Sequence, residues 1–294
     1  MNKHSVIVGL GEVLWDVFPD GPRFGGAPAN FACSAASLVD DAARVWMVSS
    51  LGNDRLGADA RQVLEEKHVD TRCVQVASQP TGQVHVTLDE EGKASYEFVN
   101  DVAWDHLHWE PSLQTLAEQA DAVCFGTLGQ RSEASRTTIA RFLDAMRSDA
   151  LKVFDINLRP PFFSDEIIQQ SLQRANVLKL NDDELPVLQK IYGCEGSEIE
   201  VLQRLAAQCE LRCVALTRGS DGALLIRDDE VHQSAAVETE VVDTVGAGDA
   251  FTAALVVGLL AGEPLPVINQ RATRVAAFVC SQAGATPPIP PELR

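Results

Sequence analysis

The segment Val241-Val242-Asp243-Thr244-Val245-Gly246-Ala247-Gly248-Asp249-Ala250-Phe251 decides how this chain is read. It opens on β-branched residues, which predict a strand. It then passes two glycines separated by one small residue and enters an apolar run, Phe251 to Leu260, that predicts a buried helix. A strand, a small-residue turn and a helix start together make an anion site. The free N–H groups of the first helical turn point outward, the helix dipole adds partial positive charge, and glycine lets backbone approach a phosphate. Asp249 places a carboxylate where that anion would lie. A carboxylate there repels the ligand unless it has another task, such as taking the proton from a hydroxyl that attacks phosphorus. An acidic first-turn residue also stabilises a helix with no ligand at all, so these residues alone leave both readings open. A dinucleotide turn is excluded because Phe251 stands where its third glycine would be, and no P-loop pattern occurs.

Working outward, short apolar runs alternate with helical patterns. Strands are predicted at 6–10, 45–49, 122–125, 152–156, 177–180, 213–216 and 223–226. Helices are predicted at 31–38, 59–67, 132–147, 164–173, 198–208, 249–260 and 267–283. This alternation predicts an α/β fold with a mainly parallel sheet covered on both faces, and ligands at the carboxyl ends of its strands. Two stretches break the pattern. Trp15 to Phe24 reads as short and turn-rich. Gln83–Leu88 alternates, turns at Asp89–Lys93 and returns as Ala94–Val99, which is a hairpin signal; a hairpin outside the α/β core suits a lid.

Bulk properties narrow the partners. With 24 basic and 42 acidic residues the net charge is −18, which disfavours nucleic acid and anionic membrane. No apolar stretch approaches the length of a membrane helix, and the N-terminal apolar run is too short for a signal peptide. The seven widely spaced cysteines read as reduced, mostly buried thiols of a cytoplasmic protein. His106 and His108 have no further ligand at useful spacing, so a metal pair is not expected there.

Five blocks along the chain share one order with a known group of proteins: Gly25-Gly26-Ala27-Pro28-Ala29-Asn30, Asp155-Ile156-Asn157-Leu158-Arg159-Pro160, Lys179-Leu180-Asn181-Asp182-Asp183-Glu184, Thr217-Arg218-Gly219-Ser220-Asp221-Gly222, and Asp243 to Phe251. Together they resemble the ribokinase-like PfkB carbohydrate kinases, and in motif the fructokinases among them. The resemblance implies one ribokinase-like domain over 1–294. Its core would be a three-layer α/β/α sandwich, with a small β-sheet lid from about 13–26 and 83–104. It implies ATP with Mg2+, and in many members K+. It also implies a sugar acceptor, with fructose the first choice, and a lid whose exposed sheet edge favours a homodimer.

The residue roles it implies can be set beside plainer ones. Asp16, Gly25, Gly26, Asn30 and Asn157 would fix the sugar, although Asp16 also reads as a solvated turn residue. Glu12 is a weaker candidate. Asp155, Asn157 and Arg159 would share one face if their strand continued, and Arg159 would neutralise transferred charge or reach the sugar. Asp249 would be the base, and the N–H groups of Gly246, Ala247 and Gly248 the anion hole. Asn181, Glu184, Thr217, Gly219 and Gly222 would face the nucleotide, with Glu184 reaching Mg2+ through water. Asn181 and Glu184 also read as a capping pair, and Lys179 as scaffold. Asp243 and Val245 would hold K+. Trp15, Phe24, Phe98 and Trp104 would cover the sugar, or simply pack the lid. A kinase for ribose, a nucleoside or 2-keto-3-deoxygluconate, and a non-catalytic sugar or nucleotide sensor, remain alternatives.

Overall fold

Ser5-Val6-Ile7-Val8-Gly9-Leu10 runs through the middle of the main sheet, and its alternation explains the layering. Ile7 enters the core on one side of the sheet, while Val8 and Leu10 enter the core on the other. The computed structural model describes residues 4–39, 42–88 and 94–294. In chain order the first half comprises β1 (Ser5–Leu10), β2 (Leu14–Phe18), β3 (Gly21–Gly25), α1 (Ala27–Val39), β4 (Ala43–Gly52), α2 (Arg55–Glu66), β5 (Val69–Asp70), β6 (Val74–Ala77), β7 (Gly82–Leu88), β8 (Ala94–Phe98), α3 (Pro111–Gln119) and β9 (Ala122–Phe125). The second half comprises α4 (Glu133–Ala145), β10 (Leu151–Asp155), α5 (Asp165–Leu172), β11 (Val177–Asn181), α6 (Leu185–Tyr192), α7 (Glu198–Gln208), β12 (Cys213–Thr217), β13 (Ala223–Arg227), β14 (Glu230–Ser234), α8 (Ala247–Leu260) and α9 (Leu265–Cys280).

The main sheet runs β14-β13-β12-β11-β10-β9-β1-β4-β5, with β6 on the far end of β4. It is parallel from β5 to β12, and the β13–β14 edge is antiparallel. Helices α1, α2, α8 and α9 cover one face and α3 to α7 the other, the expected three-layer arrangement. Local chemistry sets the helix starts: Asp54, Ser132 and Ser164 each accept from a backbone N–H three residues on, and Ser197 with Glu200 forms a capping box. α8 is apolar all round because it is enclosed between the sheet, α1 and α9.

A second sheet, β3-β2-β7-β8, shares no strand with the main one, although its Trp15 packs into the core on the α1 and α8 side. Its hairpin β7–β8 matches the alternating stretch, and the turn at Asp89–Lys93 lies outside the described residues. Trp15 to Phe24 is not merely turn-rich. It is a hairpin, β2–β3, whose Trp15 and Phe24 pair across the strands with rings 5.7 Å apart, and β7 adds a parallel neighbour. That neighbour comes from about seventy residues on, so no local pattern shows it. The strand expected at Val241-Val242 is also absent. Both valines are 61% exposed, and Val242 donates only to the Cys280 carbonyl at the end of α9. The chain leaves β14 and crosses the surface before α8, so its β-branched residues have no sheet to join. No helix among the described residues is long and apolar enough to cross a membrane.

Candidate active site

The carboxyl ends of β1, β10 and β11 and the N-termini of α1 and α8 meet at one cleft, and the predicted residues gather there from both ends of the chain. Asn30, on the first turns of α1, donates through Nδ2 to Asp249 Oδ2 at 2.9 Å, joining segments 219 residues apart. The base candidate is therefore held by the glycine-rich turn's own asparagine. Burial and the neighbouring Asp155 raise the Asp249 carboxyl to about 7, against the pull of Asn30, Lys179 and Arg159. A carboxylate poised there matches proton transfer at neutral pH.

The first turn of α8 is shaped by Gly246, whose φ of +80° places it in the left-handed region and whose missing side chain admits the Ala285 carbonyl, 2.3 Å from where a Cβ would stand. Gly248 and Asp249 have N–H groups with no acceptor among the described residues, whereas Ala247 donates back to the Thr244 carbonyl at 3.3 Å. Ala247 is thus a shared donor, while the Gly246 N–H, like those of Gly248 and Asp249, has no acceptor among the described residues. Asp243 organises the preceding loop, accepting from Val245 N at 3.0 Å and Gly284 N at 3.2 Å. Its oxygen-rich loop has the hard donors a potassium ion takes.

On the acceptor side, Asp16 lies on β2 opposite Arg23, and its carboxyl has no hydrogen-bond partner among the described residues. Burial raises it to about 6 although Arg159 and Arg23 pull it down. Gly25 gives this carboxylate room, since a Cβ there would stand 2.8 Å from Asp16 Oδ2. Glu12 is 2% exposed, its Oε2 has no partner, and burial first, then Asp249, lift it to about 7 while Arg159 opposes. Glu12 thus belongs to the same cluster.

This has a stability consequence. A carboxyl whose pKa is raised on folding binds more protons in the native than in the unfolded chain, so its contribution is most favourable at low pH and is lost as pH rises through about 7. Glu12→Gln should therefore raise Tm by about 3 °C or more at pH 8 and change it little at pH 5. An equal shift at both pH values, read by thermal denaturation, would remove the charge explanation.

The face expected for Asp155, Asn157 and Arg159 does not form. β10 ends at Asp155, Asn157 adopts φ +40°, and a cis Pro160–Pro161 bond follows. The left-handed residue breaks the alternation, so Asp155 turns into the core while the exposed Arg159 carries its charge toward Glu12, Asp16 and Asp249.

Asn181 and Glu184 bond reciprocally across the turn that leads into α6, whose N-cap is Glu184 rather than Asn181: Asn181 N donates to Glu184 Oε2 at 2.8 Å and Glu184 N to Asn181 Oδ1 at 2.9 Å. Glu184 Oε1 also accepts from Leu158 N, so this carboxylate ties two loops of the cleft. Its oxygens keep further lone pairs, and a hydrated Mg2+ is a hard cation that takes oxygen donors through water.

Thr217 and Gly219 lie at the end of β12 and in the turn after it, and the space around Gly219 is open. Gly222 has a structural explanation instead: a Cβ there would stand 2.0 Å from the Ser234 carbonyl of β14. Of the aromatic residues, Trp15 and Trp104 are buried as packing. Trp15 donates to the Leu56 carbonyl, and Trp104 lies under Arg131 with the guanidinium 4.0 Å from the ring centroid. Phe98 packs edge-on against Phe162 at 5.3 Å. His106 and His108 pair with Asp101 and Glu110, and no metal-ligating cluster occurs among the described residues.

The pfkB family carbohydrate kinase profile matches residues 20–292, and the chain belongs to that family. It is similar to an uncharacterized sugar kinase of Pyrococcus horikoshii, 29% identical with 96% of this chain and 92% of that protein covered. It is 30% identical to a fructokinase of Salmonella typhimurium over 94% of this chain and 92% of that protein. An ATP-dependent 6-phosphofructokinase of Thermoanaerobacterium thermosaccharolyticum is 28% identical over 91% of this chain and 82% of its own. The crystal structure of the Pyrococcus protein in complex with ATP superposes with a TM-score of 0.80 at 28% identity, covering 95% of this chain and 94% of that one. The fold is accordingly the ribokinase-like one, and the chain is a sugar kinase by family.

Proposed function

We propose that this protein transfers the γ-phosphoryl group of ATP to a hydroxymethyl group of a small uncharged sugar, fructose first. The observation that carries the reading is the 2.9 Å hydrogen bond from Asn30 to Asp249, which supports a base role for this carboxyl, raised to about 7, between the glycine-rich turn and the first turn of α8. In this reading Asp16 and Asn157 orient the acceptor hydroxyls. Asp249 takes the proton from the attacking hydroxyl, and the free N–H groups of Gly248 and Asp249, with Gly246, meet the charge that develops on the phosphoryl oxygens. Mg2+, organised by Asn181 and Glu184 through water, would neutralise the phosphates when bound. The nucleotide would lie along Thr217 and Gly219. The small sheet, about 13–26 and 83–104, serves as the lid that keeps water from ATP.

The charge pattern favours an uncharged acceptor. Glu12, Asp16 and Asp249 face the same space, and Arg159 is the cation that acts on all three. A sugar phosphate or sugar acid would bring its own negative charge against them, whereas hydroxyls suit carboxylates as donors.

The test is coupled ADP release with Mg-ATP against fructose, ribose, 2-keto-3-deoxygluconate, adenosine and fructose 6-phosphate, with and without K+. Turnover on fructose above the others is the expected result. Preference for fructose 6-phosphate or 2-keto-3-deoxygluconate would overturn the charge argument. Preference for ribose or adenosine would keep the mechanism and replace the sugar.

A further inference from the structure

We infer that Lys179 is a positioning residue for phosphoryl transfer: its ammonium, anchored by Asp155 beneath Gly248, is the fixed positive charge that keeps Asp249 able to accept a proton. The inference rests on the kinase reading of this site. Lys179 and Asp155 are register partners on neighbouring strands β11 and β10. They form an ion pair with Nζ 3.1 Å from Oδ1, and both side chains are almost wholly buried. The other oxygen, Asp155 Oδ2, accepts from the Thr252 hydroxyl at 2.8 Å, and that hydroxyl lies 3.0 Å from the Gly248 carbonyl one turn back on α8. The ends of two strands are thereby tied to the first turns of α8.

The identity of residue 248 follows from this arrangement. A Cβ on Gly248 would stand 3.0 Å from Lys179 Nζ, and among the described residues outside α8 the other atom it would approach within 4 Å is Lys179 Cε. The glycine therefore leaves room for the ammonium. An ammonium carries three donors, and Asp155 is the acceptor Lys179 uses among the described residues. Stability alone is a weak reason for such a pair, because a buried ion pair can often be replaced by apolar residues without loss. Its placement under the helix that carries Asp249 gives it a reason in chemistry.

The groups that face Asp249 are Asp155 and Lys179 from the sheet, the buried thiol of Cys124 on β9, Asn30 from α1, Glu12 from the end of β1 and Arg159 from the loop after β10. Within this set Lys179 favours the charged carboxylate and Asp155 disfavours it, so removing each should act with opposite sign.

The experiment uses the full chain carrying Lys179→Met or Asp155→Asn. The Asp249 carboxyl is titrated by infrared difference spectroscopy, its band assigned by loss in Asp249→Asn. The pH dependence of kcat/KM, with the sugar the protein accepts, and thermal denaturation are recorded alongside. In Lys179→Met the Asp249 titration and the acid limb of kcat/KM should move up by about one pH unit or more. Turnover at pH 7 should fall about tenfold and recover toward pH 9. In Asp155→Asn both should move down. Shifts in the same direction in the two variants, or a lowered Tm with the titration unmoved, would overturn the proposal. If one variant fails to fold, the direction of shift in the other still decides. The infrared titration needs no turnover, so failure of this inference is separable from failure of the sugar-kinase reading.

Discussion

Asp249→Asn should lower kcat by about 10²–10⁴-fold, the usual range for removing a positioned general base. The substitution is nearly isosteric, and the new side chain can still present an oxygen to Asn30 Nδ2, so the 2.9 Å contact between α1 and α8 survives. The fold should be kept, and above pH 7 it should gain stability. The native carboxyl is raised to about 7, chiefly by burial, so ionising it costs free energy that an amide does not. Binding of Mg-ATP should be unchanged or tighter, because a negative charge beside the phosphates is gone. Coupled ADP release, calorimetric titration with Mg-ATP and melting curves at pH 6 and 8 check the three parts. Near-normal kcat would remove Asp249 from the base role.

Gly246→Ala is expected to be comparably damaging for a different reason. At φ +80° an alanine is strained by about 1–2 kcal/mol. Its Cβ would also stand 2.3 Å from the Ala285 carbonyl oxygen, which is backbone and cannot rotate away. The loop 284–286 or the start of α8 must shift, and the free N–H groups there would move off any phosphoryl oxygen. Loss of such donors costs about 10²–10³-fold in kcat. Tm should fall as well, unlike in Asp249→Asn. A variant that melts normally and turns over normally would show that the first turn of α8 tolerates displacement.

Much of this could be read from the chain because the parallel strands are buried on both faces and so appear as short apolar runs. Ala122–Phe125 and Glu198–Gln208 have the bounds their patterns predict. The small sheet was half legible: β7–β8 alternates, but β2–β3 depends on a partner distant in sequence. Val241-Val242 misled because β-branched residues mark a strand only where a sheet edge is in reach.

At the candidate site, Asp249 and Asn30 stand in two of the motif blocks, whereas Asp16 lies in none of them and comes from the family resemblance alone. The buried pair Asp155–Lys179 had its own signal, a carboxylate closing the apolar run Val153-Phe154-Asp155 and a lysine inside the apolar strand Val177-Leu178-Lys179-Leu180. That signal gives no direction, and only the register of β10 against β11 shows that the two charges meet. The left-handed Asn157 was invisible because i, i+2 spacing assumes an extended chain.

The packing of α1 against α8 also has a consequence during synthesis. α1 leaves the ribosome early, with Ala29, Phe31 and Ala32 destined for the core that α8 completes. The partner of Asn30 lies 219 residues later. At about 5–20 residues per second, a nascent chain carries that apolar helix face without its cover for roughly ten to forty seconds. A messenger cut short before codon 247 would yield a chain that exposes this face permanently, a natural target for chaperones and proteases.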